Sequence, residues 1–335
     1  KQKFDIDQEQ LRPYFSLENA LKGVFSVSQK LYDINFKQRT DLPLYHSDAR
    51  VYEVSSTVND ETIGILYMDF HPRKGKDGGA WMNSYRKQYN NEKGQRVPPI
   101  ITVVCNFSKP TENTPALLSF DEVSTLFHEF GHALHGLLSR CQYYSLSGTA
   151  TPRDFVELPS QIMENWAAEP EVMKTYAFHY ETGEVIPDEL ISKLEAASKF
   201  NQGFTVSEFQ AAALLDMYWH TLETEDIPDV LEFEKQIREK IGLIPEIEFR
   251  YRSTFFNHIF SSGYSAGYYS YTWSEILDAD AFQAFKETSL FDKETANKFR
   301  ESILERGGTE DAMEMYIKFR GRKPSIDALL ERKGI

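Results

Sequence analysis

Apolar residues recur at helical spacing in one stretch more regularly than elsewhere in the chain. The apolar positions of this stretch are Val123, Leu126, Phe127, Phe130, Leu134, Leu137 and Leu138. Just before it, Ser119 and Glu122 have the spacing of a capping box, in which a serine caps the helix and a glutamate reaches back to the serine. The pattern predicts a helix over residues 121–140 that is held in place by the burial of one face.

The helical spacing of apolar residues is absent over residues 49–107. There, β-branched and aromatic residues form short runs between turn residues. The runs at 51–54, 62–70 and 100–105 predict one small sheet, and residues 116–118 are a candidate for a further short strand. The Gly- and Lys-rich stretch at 72–94 predicts a solvated surface loop over the sheet rather than a binding element.

Elsewhere the apolar spacing is mostly helical. Residues 7–40 predict helical structure, and further helices are predicted at 121–140, 155–181, 187–201, 205–224, 229–241, 264–287, 292–306 and 309–319. The sequence therefore predicts a mainly α fold with a small mixed β-sheet, in the α+β class. We expect a helical lead-in over residues 1–45, the sheet over 46–120 and a helical body over 121–335.

Composition narrows the class of protein. The chain has 335 residues, 41% of them hydrophobic, and a net charge of −14, so it can bury a large core in one or two domains. The acidic charge argues against nucleic acid as a partner. No apolar run approaches the ~18 residues of a membrane span, so we expect no membrane insertion. Cys105 and Cys141 make no disulfide framework and are expected to be reduced core thiols.

The best-defined helix carries the sequence His128-Glu129-Phe130-Gly131-His132. The two histidines are four residues apart and leave the same side of the helix, an arrangement in which two imidazoles can bind one zinc ion. Glu129 points to one side of the pair, where it can take a proton from a metal-bound water. Gly131 weakens the helix by about 1 kcal/mol relative to alanine, which suggests that another backbone comes close there. HExxH also arises by chance, but a chance copy need not fall on an amphipathic helix.

A third ligand has to come from farther along the chain. His135 continues the same helix face, but it better fits a packing or supporting histidine than a ligand. The carboxylates within reach are Asp154, Glu157, Glu164, Glu169 and Glu171. Periodicity alone does not choose among them. Glu157 and Glu164 are seven apart and would share a helix face, although Pro159 should perturb the first turns of that helix.

Four further blocks of sequence accompany the HExxH helix. They are residues 155–161 (FVELPSQ), 164–166 (ENW), 258–273 (HIFSSGYSAGYYSYTW) and 319–324 (FRGRKP). With them the chain resembles the thimet oligopeptidase and dipeptidyl carboxypeptidase family of zinc metallopeptidases, and the resemblance covers essentially all 335 residues. It implies a neurolysin-like catalytic domain, zinc-dependent hydrolysis of short peptides and one zinc ion per chain.

The resemblance also implies roles for individual residues. The zinc ligands would be His128, His132 and Glu157, and Glu129 would be the general base. In the third block, Tyr271 and His258 would donate hydrogen bonds to the developing oxyanion.

Substrate contacts are implied for Tyr264 and Tyr268, which together with Tyr271 are predicted to share one helix face. Without the resemblance, such an aromatic stripe would be interpreted as core packing. Gly263 would let the loop approach a peptide and move.

Residues 147–155 resemble the dipeptidyl carboxypeptidase branch of the family more than the oligopeptidase branch. This segment adds Gly148 and Arg153 to the predicted substrate contacts. Arg153 is a candidate cation for the C-terminal carboxylate of the substrate, and the alternative is a surface arginine at the start of a helix. The implied activity is therefore the release of C-terminal dipeptides.

Three alternatives to this activity remain open at the level of the sequence. The protein could cut short peptides internally, it could be a peptide-binding module with a structural zinc, or this chain could be inactive by itself. The presence of Glu129 and of only three evident protein ligands favours an enzyme, because catalytic zinc keeps one position open.

Family members carry an N-terminal helical half that forms the other wall of a channel, and we expect that half to be missing from this chain. The chain also lacks a starting methionine, so it could be part of a longer protein. A cytoplasmic location is expected, with the periplasm as the alternative.

Overall fold

The structure is a computed structural model that describes residues 8–224 and 226–335. In this part of the chain a five-stranded sheet and a two-stranded ribbon accompany a large body of helices. The prediction of a mainly α fold with a small mixed sheet is therefore confirmed. No helix within the described ranges is both long and apolar enough to cross a membrane. Residues 1–7 of the predicted lead-in lie outside the described residues.

The strands are β1 (Ile34–Gln38), β2 (Arg50–Ser56), β3 (Thr62–Asp69), β4 (Trp81–Arg86), β5 (Tyr89–Asn90), β6 (Arg96–Val97) and β7 (Ile100–Val104). The larger sheet has the order β1-β2-β3-β7-β4, and β5 pairs with β6 separately. β3 and β7 run parallel, with Leu66 opposite Ile101. The other neighbours in this sheet run antiparallel, and β4 lies at one edge.

The α-helices are α1 (Gln8–Leu11), α2 (Leu17–Tyr32), α3 (Phe120–Leu138), α4 (Leu158–Ala168), α5 (Pro170–Met173), α6 (Asp188–Ser198), α7 (Gln202–His220), α8 (Val230–Lys240), α9 (Asn257–Phe260), α10 (Ser270–Glu287), α11 (Lys293–Phe299), α12 (Ala312–Arg320) and α13 (Asp327–Lys333). Short 3₁₀ turns occupy Arg12–Tyr14, Tyr144–Leu146 and Ser253–Phe255, and a π-helical turn over Arg300–Leu304 continues α11.

Helix α3 lies in the main hydrophobic core, against β7 and β4 of the sheet and against α2 and α4. Its first turn has the predicted capping box, because Ser119 Oγ accepts the Glu122 N–H at 3.2 Å and Glu122 Oε2 accepts the Ser119 N–H at 2.8 Å. Its apolar face is fully buried, including Phe127 and Phe130. Burial of each such side chain contributes roughly 1.5–3 kcal/mol, so packing fixes the position of the helix.

Gly131 is where α3 comes closest to another backbone. A Cβ atom added at this position would lie 2.1 Å from Pro159 O and 2.6 Å from Ser160 Cα, both in the first turn of α4. Only a glycine permits this approach. The sequence-based prediction of a close backbone at Gly131 is confirmed, and the approach brings the start of α4 beside the two histidines.

For two segments the sequence predicts the wrong kind of secondary structure. The stretch at 72–94, predicted as a surface loop, contains β4, whose Trp81 lies opposite Val104 of β7. The polar composition that suggested a loop is typical of an edge strand. The helix predicted over residues 7–40 ends at Tyr32, where Asp33 adopts a φ of 53° and turns the chain into β1. The sheet therefore begins inside the predicted lead-in.

Several predicted boundaries also need correction. The helix predicted at 155–181 is replaced by α4, which begins at Leu158 with Pro159 in its first turn, and by the short α5. The segment at 116–118 makes only an isolated bridge, between Ser16 and Leu117. Helix α13 lies beyond the last helix that the sequence pattern predicts. Cys105 and Cys141 are buried and free, as expected.

We expect Gly131→Ala to lower the free energy of unfolding by about 1–3 kcal/mol, because the added Cβ must push two backbones apart. The higher helix propensity of alanine offsets only part of this cost. Chemical denaturation followed by circular dichroism measures the change.

Gly203→Ala is the matched control, since this glycine also lies in a helix and its added Cβ would meet nothing within 4 Å. That variant should be neutral or more stable by up to about 1 kcal/mol. Equal stability of Gly131→Ala and the control would contradict the close approach.

Candidate active site

Three side chains converge where α3 meets the start of α4. His128 Nε2 and His132 Nε2 lie 3.2 Å and 3.0 Å from Glu157 Oε2. The candidate ligand atoms of the three residues all lie within 4.8 Å of one another. Among the residues that the structure describes, no other group of this kind was found. The structure therefore brings together the two histidines and the carboxylate that the sequence offered as metal ligands.

Local structure fixes the position of Glu157. This residue immediately precedes α4, and its carbonyl oxygen accepts the Gln161 N–H at 2.9 Å. Ser160 Oγ donates a hydrogen bond to Glu157 Oε2 at 2.8 Å. The close approach of this turn to Gly131 carries the carboxylate under the two imidazoles, which leave α3 one turn apart.

The donor set fits a divalent metal ion. Two imidazoles and one carboxylate are ligands that catalytic metal sites use together. Glu157 is only 1% exposed, and a buried carboxylate requires positive charge or hydrogen-bond donors around it. Burial opposes its ionisation, but the two histidines outweigh that effect and hold the pKa of Glu157 well below its usual range. The surroundings thus favour a cation between the three side chains.

Two further side chains hold the ligands in orientation. Glu164 Oε1 lies 2.6 Å from His128 Nδ1, so the imidazole can present Nε2 to a metal ion. Tyr264 donates its hydroxyl hydrogen to Glu157 Oε1 at 2.5 Å, which leaves Oε2 facing the histidines. The sequence alone leaves Glu164 open as an alternative third ligand, and in the structure it contacts the ligand His128 instead.

Glu129 lies beside the ligands with a free carboxylate oxygen. The side chain is 5% exposed, and its Oε2 atom has no hydrogen-bond partner. Burial raises the pKa of its carboxyl group above the usual range.

His135, one turn after His132 on α3, is fully buried, and burial lowers its pKa to about 3. His135 is therefore a neutral packing residue that lies outside the ligand cluster.

The ligands lie on the floor of a groove with two lobes, which we call the metal groove. The larger lobe has a volume of about 760 Å³ and the smaller about 430 Å³. The residues that line both lobes are Ala80, His128, Glu129, Tyr251, His258 and Tyr271. Arg153 lines only the larger lobe and Arg250 only the smaller one. The groove thus has an arginine on each side of the ligands.

The strand that sequence analysis missed is part of this groove. Residues 78–83, which include the beginning of β4, line the larger lobe. The prediction that the stretch at 72–94 is only a solvated loop is therefore wrong for these residues. An edge strand of the sheet therefore borders the groove.

The predicted aromatic residues come together, but not as one helix face. Helix α10 begins at Ser270, so Tyr264 and Tyr268 precede the helix that carries Tyr271. The rings of Tyr264 and Tyr271 nevertheless stack, with centroids 5.4 Å apart and planes 8° apart. Tyr268 is 2% exposed and its ring stacks on Phe209, and both residues border the smaller lobe of the groove.

The other predicted contact residues separate into two groups. The guanidinium of Arg153 lies 4.3 Å from the ring centroid of Tyr264, beside Gly263. His258 lines both lobes, and its Nδ1 atom is buried without a partner. Gly148 lies elsewhere: it is buried against Gly136, and its N–H donates to Ser139 Oγ at 3.0 Å. Gly148 itself is buried while its neighbour Thr149 lines the larger lobe, so a substrate contact at Gly148 stays a prediction.

Sequence analysis missed several residues around the site. Arg250 and Tyr251 line the groove from a segment with no recognised motif. Asp216 of α7 is fully buried, and its carboxylate accepts a hydrogen bond from the Tyr268 N–H. An acidic residue directly after the apolar run Ala211-Ala212-Ala213-Leu214-Leu215 was the available signal for Asp216, since buried carboxylates need partners.

Comparison with known proteins places this site in a family. The chain is 47% identical over 339 residues to dipeptidyl carboxypeptidase of Escherichia coli strain K12, covering 100% of this chain and 49% of that protein. It is 41% identical over 337 residues to oligopeptidase A of the same organism, with coverage of 99% and 49%. The chain thus spans about half the length of these relatives.

Solved structures share the fold at low sequence identity. A structure described as that of CHT is 12% identical with a TM-score of 0.57, covering 98% of this chain and 60% of that one. The Pyrococcus furiosus carboxypeptidase is 14% identical with a TM-score of 0.53, with coverage of 96% and 58%. The family model described as Peptidase family M3 matches residues 1–335, and the chain therefore belongs to this family of metallopeptidases.

Proposed function

We propose that the protein containing this chain is a zinc-dependent peptidase that hydrolyses short peptides, with one zinc ion held by His128, His132 and Glu157. The observation that carries the proposal is the convergence of these three side chains beneath the metal groove. Zinc accepts this donor set and leaves one coordination position open. When bound, it supplies Lewis-acid chemistry, lowering the pKa of a water and polarising the scissile carbonyl.

Glu129 is the general base in this proposal. It takes a proton from the attacking water and passes that proton to the amine that leaves when the peptide bond breaks. Support comes from its place next to His128 in the floor of both lobes and from its unpartnered carboxylate oxygen. A carboxylate oxygen that the protein itself does not engage is available to a water.

Tyr271 and His258 stabilise the oxyanion that develops on the scissile carbonyl. A phenol and an imidazole can each donate one hydrogen bond, and such donors are most effective where water is excluded. Both residues line both lobes of the groove, so both border the position between the lobes where the scissile bond has to lie. Tyr264 helps to hold the ligand Glu157 in position by donating a hydrogen bond to its carboxylate.

We further propose that the enzyme releases dipeptides from the C-terminus of its substrates. This mode requires a fixed cation that binds the terminal carboxylate two residues beyond the scissile bond, or about 7 Å of extended chain. Arg153 fits this requirement, because its guanidinium lies over the ring of Tyr264, whose hydroxyl contacts Glu157. Internal cleavage is the alternative, since a relative named oligopeptidase A is nearly as similar to this chain as one named dipeptidyl carboxypeptidase.

The proposed enzyme also includes an N-terminal half beyond this chain. The similar peptidases are about twice as long as the aligned segment, which covers 49% of their length. A second half that covered the metal groove would exclude water from the reaction. Peptidase activity of this chain should therefore rise when the N-terminal half is added.

Glu157→Gln should lower the affinity for zinc more than Glu164→Gln does, because the first change removes an anionic ligand and the second removes only its support. Loss of a supporting residue typically costs about 10–100-fold in metal affinity, and loss of the ligand should exceed this. Elemental analysis after dialysis, together with competition against a chelator, gives both values. A larger loss in Glu164→Gln would exchange the two roles.

Glu129→Gln should keep zinc and the fold but reduce kcat by about 10²–10⁴-fold, since the amide cannot accept the proton from water. Glu122→Gln is the control on the same helix, because it weakens the capping box and leaves the groove unchanged. That control should keep its turnover. Residual activity of Glu129→Gln above about a tenth of the wild-type value would show that another residue is the base.

Release of C-terminal dipeptides predicts which products form and predicts that KM depends on the charge of the substrate C-terminus. Mass spectrometry should show stepwise loss of dipeptides from a peptide with a free C-terminus and slow cleavage of its C-terminal amide. Arg153→Gln should raise KM for the free acid about 10–100-fold and change KM for the amide little, because only the acid has the charge that arginine binds. Arg250→Gln is the matched control from the smaller lobe.

Equal internal cleavage of the acid and the amide would replace this mode with that of an oligopeptidase. If Arg250→Gln has the effect expected of Arg153→Gln, the substrate C-terminus lies in the smaller lobe instead.

A further inference from the structure

A buried carboxylate in α7 holds the chain segment that carries the tyrosines. Asp216 is 0% exposed. Its Oδ1 accepts the Ala266 N–H at 2.9 Å and its Oδ2 accepts the Tyr268 N–H at 2.8 Å. His220 Nδ1 lies 2.7 Å from the same Oδ1. Both carboxylate oxygens therefore have partners, and two of the three partners are backbone groups of one short segment. We call residues 264–268 the tyrosine segment.

The tyrosine segment has a backbone conformation that needs external support. Ala266 has a φ of 50°, in the left-handed region that L-residues with a Cβ rarely adopt. A residue held in this conformation costs free energy unless surrounding contacts determine it. Asp216 accepts one hydrogen bond from the N–H of Ala266 itself and another from the N–H of Tyr268, two residues farther along the chain. They supply the determining contacts.

The segment connects Asp216 to the metal ligands through a few bonds. Tyr264 lies two residues before Ala266, and its hydroxyl donates to Glu157 Oε1. Tyr271 lies three residues after Tyr268, and its ring stacks on that of Tyr264. We expect a shift of the backbone at Ala266 to move both phenols relative to Glu157, because Tyr264 and Tyr271 lie within five residues of Ala266.

We propose that Asp216 is a positioning residue, which fixes the tyrosine segment so that Tyr264 reaches Glu157 and Tyr271 reaches the reacting carbonyl. Asp216 is not among the residues that line either lobe, and it acts only through the backbone that it binds. The part of this inference that concerns Tyr271 rests on the proposed peptidase function. The part that concerns the backbone does not.

Hydrogen exchange tests the backbone part without reference to activity. In Asp216→Asn the amide keeps the shape of the side chain, but its NH₂ group faces one of the two N–H donors, so one hydrogen bond is lost. Amides of residues 264–270 should then exchange at least about tenfold faster in the metal-loaded protein.

Glu234→Gln is the matched control for this measurement. Glu234 is 3% exposed and accepts the Ser253 N–H at 2.7 Å, so it is also a buried acid that binds a backbone amide. Its substitution should leave exchange in residues 264–270 unchanged. Unchanged exchange in Asp216→Asn, or an equal rise in the control, overturns the proposal.

A double-mutant cycle tests the positioning of Tyr271. Asp216→Asn alone should lower kcat about 10–100-fold when it is assayed at saturating zinc. In protein that already carries Tyr271→Phe, the same change should lower kcat less than about twofold, because the hydroxyl to be positioned is gone. Fully additive losses would mean that Asp216 contributes to stability alone, and would overturn its positioning role.

The outcomes separate this inference from the proposed function. If the unsubstituted metal-loaded protein cleaves no peptide, the proposed function fails, and the exchange measurement still decides whether Asp216 holds the segment. If Asp216→Asn does not fold, Asp216→Glu takes its place, since it keeps the buried charge and displaces the carboxylate by one methylene. Wild-type exchange and wild-type kcat in Asp216→Glu would overturn the proposal.

Discussion

The close approach of α3 to the first turn of α4 is the constraint on which the rest of the site depends. Gly131 lies between the two histidines in the sequence, and the carbonyl oxygen of Pro159 occupies the space where its Cβ would be. The histidines are placed by the helix that contains Gly131, and Glu157 is placed by the turn that touches it. The distance between the imidazoles and the carboxylate is therefore fixed by direct packing of one backbone on another. Such packing is stiffer than contact between side chains.

A buried negative charge is the second constraint. Glu157 accepts hydrogen bonds from Ser160 of its own turn and from Tyr264 of the tyrosine segment, and Nε2 of each histidine of α3 lies within 3.2 Å of its Oε2. A buried carboxylate with fewer donors would cost several kcal/mol. The two hydroxyl groups that partly satisfy this charge also hold the carboxylate beside the histidines, so the same contacts serve folding and the geometry of the candidate metal site.

The metal groove lies where separate hydrophobic cores meet. The buried residues around the ligands, such as Phe130 and Leu158, belong to the main core with the sheet. Tyr268 belongs to a smaller core with Ile259 and residues of α7. The segment that carries Tyr268 thus packs in a different core from the ligands, and the Tyr264 hydroxyl joins the two at the groove. Small cores of this kind open more easily than large ones, which explains why the segment between them needs a buried anchor.

The sequence by itself determined those features that depend only on residues close together along the chain. The capping box at Ser119, the spacing of His128 and His132, and the need for a close backbone at Gly131 follow from helix geometry alone. The choice of Glu157 required its resemblance to a known motif, since periodicity treats Glu164 equally. Only the tertiary structure decided that edge strand β4 borders the groove and that Asp216 anchors the tyrosine segment. Those relations join residues far apart in sequence, and their geometry is set by packing, which no local pattern records.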